Sequence, residues 1–151
     1  ISYLTGRISR DLLVSNQQET TWLWWDEQSA DFDLFVSEVV IDEASQGDSS
    51  ASAKRLEVIR DIPALKLSPE ALELAAALTE KAFPPNAARD ALHVASAALG
   101  GMHYILTWNF RHIANAEKRS DIITICNTAG YECPIICTPF ELLELKGPHH
   151  D

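Results

Sequence analysis

No apolar run in this chain reaches the roughly 18 residues of a membrane span, and its opening residues lack the basic start of a secretory leader. A cytoplasmic protein with no membrane association is therefore expected. Cysteine is scarce: Cys126, Cys133 and Cys137 are the only three, the count is odd, and no two form a CxxC pair. They read as free, mostly buried thiols rather than as a disulfide framework or a zinc site. Basic residues are also few, 12 against 22 acidic ones, for a net charge of −10. This argues against a general nucleic-acid coat, because counterion release needs clustered Lys and Arg. It does not exclude metal-dependent chemistry on nucleic acid, since such a site concentrates carboxylates and the bound ion inverts the local charge. The small basic groups present, Arg7 with Arg10, Lys54 with Arg55, and Arg111 with Lys118 and Arg119, read mostly as solvated helix faces. GxSxG elbows, P-loops and DxDxT-like phosphatase motifs are all missing, which leaves the competing hydrolase classes little support.

What is present fits one domain over residues 1–147 with a frayed tail at 148–151 that holds His149 and His150. The chain opens on Ile1-Ser2-Tyr3-Leu4 in mid-pattern, and the expectation is that the parent protein has residues before Ile1. Ser9 is placed to cap a helix from about Arg10 into the tryptophan cluster Trp22, Trp24 and Trp25. Phe32 to Ser37 reads as a strand feeding a helix that Gly47 stops, and Asp48-Ser49-Ser50 caps a further helix through Ile59. Ala64 to Leu67 reads as a strand, followed by Ser68-Pro69-Glu70 with Pro at a first helical position. A helix from about Ala116 to Ala129 ends at Gly130. Pro134 to Cys137 is a last strand, and Thr138-Pro139-Phe140-Glu141 has capping-box spacing. Short strands alternating with longer helices imply an α/β fold with a mainly parallel sheet covered on both faces.

Two segments place carboxylates where decoration explains them poorly. In Ser37 to Gly47, the residues Val36, Val39, Val40 and Ala44 trace an apolar stripe, and Glu43 borders it. Glu38 and Asp42 share a different face and read as solvated. A buried lone carboxylate is costly unless paired or bound to a metal, so Glu43 is a candidate functional acid. In Pro84 to Ile113, Asn86 is a candidate N-cap and Asp90 enters the first turn of a helix otherwise rich in Ala, Leu and Val. Its bland reading is an anion complementing the helix dipole. A Gly-Gly stop then leads into Tyr104-Ile105-Leu106, which ends on Thr107-Trp108-Asn109. Ligands in open α/β sheets gather beyond the carboxyl ends of strands, which puts Asn109 and Asp90 on one rim. For Asn109 the bland reading is a turn residue satisfying local backbone. His93 and His112 read as structural or substrate-positioning. Oxygen donors without a Cys or His pair point to Mg²⁺ or Mn²⁺.

The order strand–SEVVIDEA–helix, then AARDALHVASAA, then ILTWNFRHI, resembles the PIN-domain nucleases, especially the VapC-type toxin ribonucleases, over most of the chain. The resemblance implies a PIN-like three-layer α/β/α domain. It implies Glu43, Asp90 and Asn109 as catalytic metal ligands, with Thr107, Arg111 and His112 positioning substrate. It implies a Mg²⁺- or Mn²⁺-dependent endoribonuclease, an RNA substrate, an antitoxin partner and a homodimer. In the family a further acid ends the first strand, a few residues before the segment matching Ile1 to Leu4; this chain lacks it, and Asn109 stands where Asp is usual. The alternative is a PIN-like domain with a depleted acid set, acting as a binding or regulatory module.

Overall fold

A computed structural model describes residues 1–145, so the expected tail lies outside the described residues. Contacts gather into two compact units: residues 1–36, 40–63 and the chain from Thr138 make the first, and residues 37–39 and 64–137 the second.

The first unit is mostly helical. α1 spans Ser2–Thr5 and α2 spans Leu12–Gln28. Asp11 rather than Ser9 caps α2, its Oδ1 accepting from the Val14 amide at 3.0 Å. The Ser9 hydroxyl instead accepts from the Asp11 amide at 3.1 Å, one step upstream in the same turn. Gln18 is buried, and both ends of its amide are used: Oε1 accepts from Ser9 N at 2.8 Å and Nε2 donates to Arg7 O at 2.9 Å. Of the three tryptophans, Trp24 is the buried one and packs on Phe32 with ring centroids 5.6 Å apart. The expected strand from Phe32 shrinks to β1, Val36–Ser37, because Ser29–Asp31 turns as a 3-10 helix just before it. α3, Glu38–Ala44, begins in the second unit and runs into the first. α4 covers Ser49–Ile59 under the expected Asp48 cap, whose Oδ2 accepts from Ala51 N at 3.0 Å. Arg55 ties the two helices by donating from Nε to Ala44 O at 3.1 Å. Val36, Ala44 and Ile59 form the buried centre here.

The second unit holds the larger core. Its elements are β2 (Ala64–Leu65), α5 (Pro69–Lys81), α6 (Ala88–Leu99), β3 (Tyr104–Leu106), α7 (Arg119–Thr128) and β4 (Ile135–Cys137). α5 starts as expected, with Pro69 at a first position and Ser68 Oγ accepting from Ala71 N at 3.2 Å. It buries Ala71, Leu74, Ala75 and Leu78, the i, i+3, i+4, i+7 face, against the matching face of α6, Ala91, Val94, Ala95 and Ala98. Alanines on α6 let the two helices approach closely. Burial of a residue such as Leu78 contributes about 1.5–3 kcal/mol. Asn86 does not cap α6: it lies inside a 3-10 turn, Pro85–Ala87, and no side chain caps that helix. α6 ends at Gly101 in the left-handed region (φ +69°), which lets Met102 N reach back to Ala97 O at 3.0 Å. α7 starts three residues later than expected, because Asn115 Oδ1 accepts from Glu117 N at 2.9 Å and holds the chain in a turn.

β3 and β4 pair in parallel with Tyr104 opposite Ile135, Ile105 opposite Ile136 and Leu106 opposite Cys137. β1 and β2 make a second two-stranded sheet. The architecture is thus mixed α/β, with pairing confined among the described residues to strands of two or three residues, so helix packing carries most of the core. α8, Pro139–Leu145, belongs to the first unit and opens on the expected reciprocal box: Thr138 N donates to Glu141 Oε2 at 2.7 Å, and Glu141 N to Thr138 Oγ1 at 3.2 Å. No helix among the described residues is long and apolar enough to cross a membrane.

Candidate functional site

α6 projects Asp90 from its first turn, and the chain leaving β3 meets it. Thr107 N still donates across to Cys137 O at 2.9 Å, after which the pairing stops. The Thr107 hydroxyl accepts from Asn109 N at 3.0 Å and Asn109 Oδ1 accepts from His112 N at 3.0 Å, so two side-chain-closed turns follow one another. This winding turns two donors onto one carboxylate. Asn109 Nδ2 donates to Asp90 Oδ1 at 3.1 Å, and His112 Nδ1 lies 2.7 Å from Asp90 Oδ2. The Asp90 and His112 side chains are about one-fifth exposed, 20% and 18%. A carboxylate accepts, so Nδ1 of His112 carries the proton and Nε2 holds the free lone pair of the neutral ring.

Thr107, Asn109, His112 and Asp90 therefore form one cluster within the second unit, as the strand-end rule anticipates for Asp90 and Asn109. Arg111, in the same loop, is exposed. Glu43 is placed differently from expectation. It is exposed on α3 in the first unit, so the burial argument made for it does not apply. It lies within electrostatic reach of the Ile1 amino group, whose pKa is lowered by burial and then by Arg55, with Glu43 opposing. Glu38, read as a solvated acid, has a structural tie: its Oε2 accepts from Leu67 N at 3.0 Å.

Among the described residues no three His, Cys, Asp or Glu side chains gather closely enough to form a metal cage. The cluster at Asp90 offers one carboxylate, one amide and one hydroxyl oxygen. Such a donor set fits a largely hydrated Mg²⁺ or Mn²⁺, which is commonly held through one or two carboxylates. Asn109 would have to turn its amide over to present oxygen beside Asp90.

The sequence reading missed two features. Nothing in the spacing showed that His112 would seat on Asp90, although an Asn three residues before a His is a turn signal that could have brought them together. Trp108 and Phe110 flank Asn109 and meet edge-on, with ring centroids 6.1 Å apart and planes at 63°. The chain matches no family model, no curated protein and no solved structure.

Proposed function

We propose that this chain is a divalent-metal-dependent endoribonuclease of PIN-like, three-layer type, in which Asp90 is the principal metal-ligating acid of the second unit. The observation that carries the reading is the 3.1 Å hydrogen bond between Asp90 and Asn109, which joins the helix acid and the strand-end residue in one corner. Glu43 enters as a second ligand through the resemblance. Its nearness to the Ile1 amino group supports this, because the resemblance places the first-strand acid just upstream of that residue. Mg²⁺ or Mn²⁺ supplies an activated water and charge neutralisation at the scissile phosphate. Asp90 holds the cation, Asn109 orients Asp90 and presents an amide oxygen, and Thr107 fixes the backbone of that turn. His112 and Arg111 position the RNA. An antitoxin, a homodimeric state and a cytoplasmic location complete the proposal.

A second reading, a PIN-like module depleted in acids and used for binding, draws on one observation: both Asp90 oxygens already accept hydrogen bonds from the chain's own side chains. Incubation of a fluorescent RNA with the protein, in Mg²⁺, Mn²⁺ or EDTA, separates the two. The nuclease reading expects cleavage only with metal and near-complete loss in Asp90→Asn, with the fold intact by circular dichroism. Cleavage in EDTA, or undiminished cleavage by Asp90→Asn, overturns it.

A further inference from the structure

We infer that Trp108 and Phe110, with Arg111, form a stacking platform for unpaired bases of single-stranded RNA beside the Asp90 cluster. The inference rests on the ribonuclease reading and supplies that site with a substrate class. The order Trp108-Asn109-Phe110-Arg111-His112 alternates its jobs. Asn109 and His112 turn inward to Asp90, while Phe110 is left 52% exposed and Arg111 is exposed. An exposed Phe on a turn is unfavourable for folding, and packing does not require it: Phe110 contributes no side chain to the buried core of this unit. Phe110 N donates to Trp108 O at 3.0 Å, which holds both ring-bearing residues in one tight turn with their planes inclined at 63°. Two inclined rings offer faces in two directions, as a strand with splayed bases needs.

Charge selects the ligand. In a chain of net charge −10, no ion pair occupies Arg111 among the described residues, and it sits between the aromatic pair and the acid that would hold the metal. An aromatic face for a base and a guanidinium for the adjoining phosphate are the two elements by which single strands are bound with little sequence preference. Duplex RNA keeps its base faces stacked and cannot use the rings.

The test is binding in EDTA, where cleavage does not interfere. Fluorescence anisotropy would follow this chain with a labelled single-stranded RNA, the same RNA as a duplex, and the DNA of the same sequence. The single-stranded RNA should bind tightest and quench tryptophan fluorescence. Phe110→Ala should weaken it about tenfold, the loss expected for one stacked base, while Phe110→Tyr should retain binding. Arg111→Ala should weaken binding and flatten its salt dependence by about one phosphate contact. Absence of RNA binding, unchanged affinity in Phe110→Ala, or a duplex or DNA bound as tightly as the single-stranded RNA overturns the inference. Ring-dependent binding without cleavage in Mg²⁺ keeps the platform and removes the nuclease. Metal-dependent cleavage with Phe110→Ala binding and cutting like the parent keeps the nuclease and removes the platform.

Discussion

His112 Nδ1 and Asp90 Oδ2 lie 2.7 Å apart, linking residues 22 positions distant in sequence. With Asn109 on the other oxygen, Asp90 is held from two directions by the loop that follows β3. The loop is therefore anchored to α6 by polar contacts that converge on a single side chain. Whatever Asp90 binds must share it with, or displace, these donors.

Removing one anchor should loosen the loop. His112→Ala leaves Asp90 Oδ2 with water as its partner, since the side chain is one-fifth exposed. A hydrogen bond to a charged group contributes about 1.5–3 kcal/mol when well buried, and partial exposure reduces this to about 1 kcal/mol. Urea denaturation should show that loss, and hydrogen exchange should quicken at His112 and Ala114, whose amides close on Asn109. Exchange that stays unchanged at both amides would show that Asn109 alone holds the turn.

Asn109→Asp tests the amide directly. The substitution replaces a donor 3.1 Å from Asp90 Oδ1 with a second carboxylate. Two like charges at that separation oppose each other unless a proton or a cation intervenes. Without metal the variant should melt lower than the parent, by about 1–3 kcal/mol of stability at neutral pH. Millimolar Mg²⁺ or Mn²⁺ should raise its melting temperature more than that of the parent, whereas Asp90→Ala should show no metal-induced rise. A variant as stable as the parent in EDTA would mean that the amide adds nothing to the pair.

Local chemistry was legible in the sequence wherever a short polar side chain meets its own helix. Asp48, Ser68 and the Thr138–Glu141 box all cap as expected, because a cap reaches only two or three residues along the chain. Ser9 and Asn86 were misplaced because a second acceptor or a 3-10 turn lay within that same reach. The adjacency of Asp90 and Asn109 followed from the strand-end rule, a property of topology. The donor role of Asn109 and the seating of His112 depend on how two consecutive turns wind, which periodicity does not encode. Glu43 shows the opposite failure. A helical stripe tells which residues border the apolar face, but a long side chain at the border reaches solvent, and this one does.

Ser96 offers a test of the core. It is 2% exposed within α6, and its hydroxyl has no hydrogen-bond partner among the described residues. Ala removes the desolvated hydroxyl and improves helix propensity by about 0.5 kcal/mol. Ser96→Ala should therefore stabilise the protein by about 0.5–1.5 kcal/mol in chemical denaturation. A clear loss of stability would reveal a partner for the hydroxyl in solution, a bound water foremost.

The thiols should differ sharply in reactivity. Cys126 and Cys137 are buried, whereas Cys133 is half-buried beside Cys126. The Cys126 thiol donates to the Cys133 sulfur and lowers the Cys133 pKa, with burial opposing; the same contact, together with burial, pushes Cys126 up. A lowered pKa means a larger thiolate fraction at a given pH, and the thiolate is the nucleophile. Cys133 should thus be the first residue alkylated by iodoacetamide, and its rate should begin to climb at a lower pH than that of an ordinary thiol. Cys126→Ala removes the donor, so the Cys133 profile should move to higher pH while mass spectrometry still finds the label on Cys133. Alkylation starting at Cys137, or a Cys133 profile indifferent to Cys126→Ala, would contradict the thiol contact.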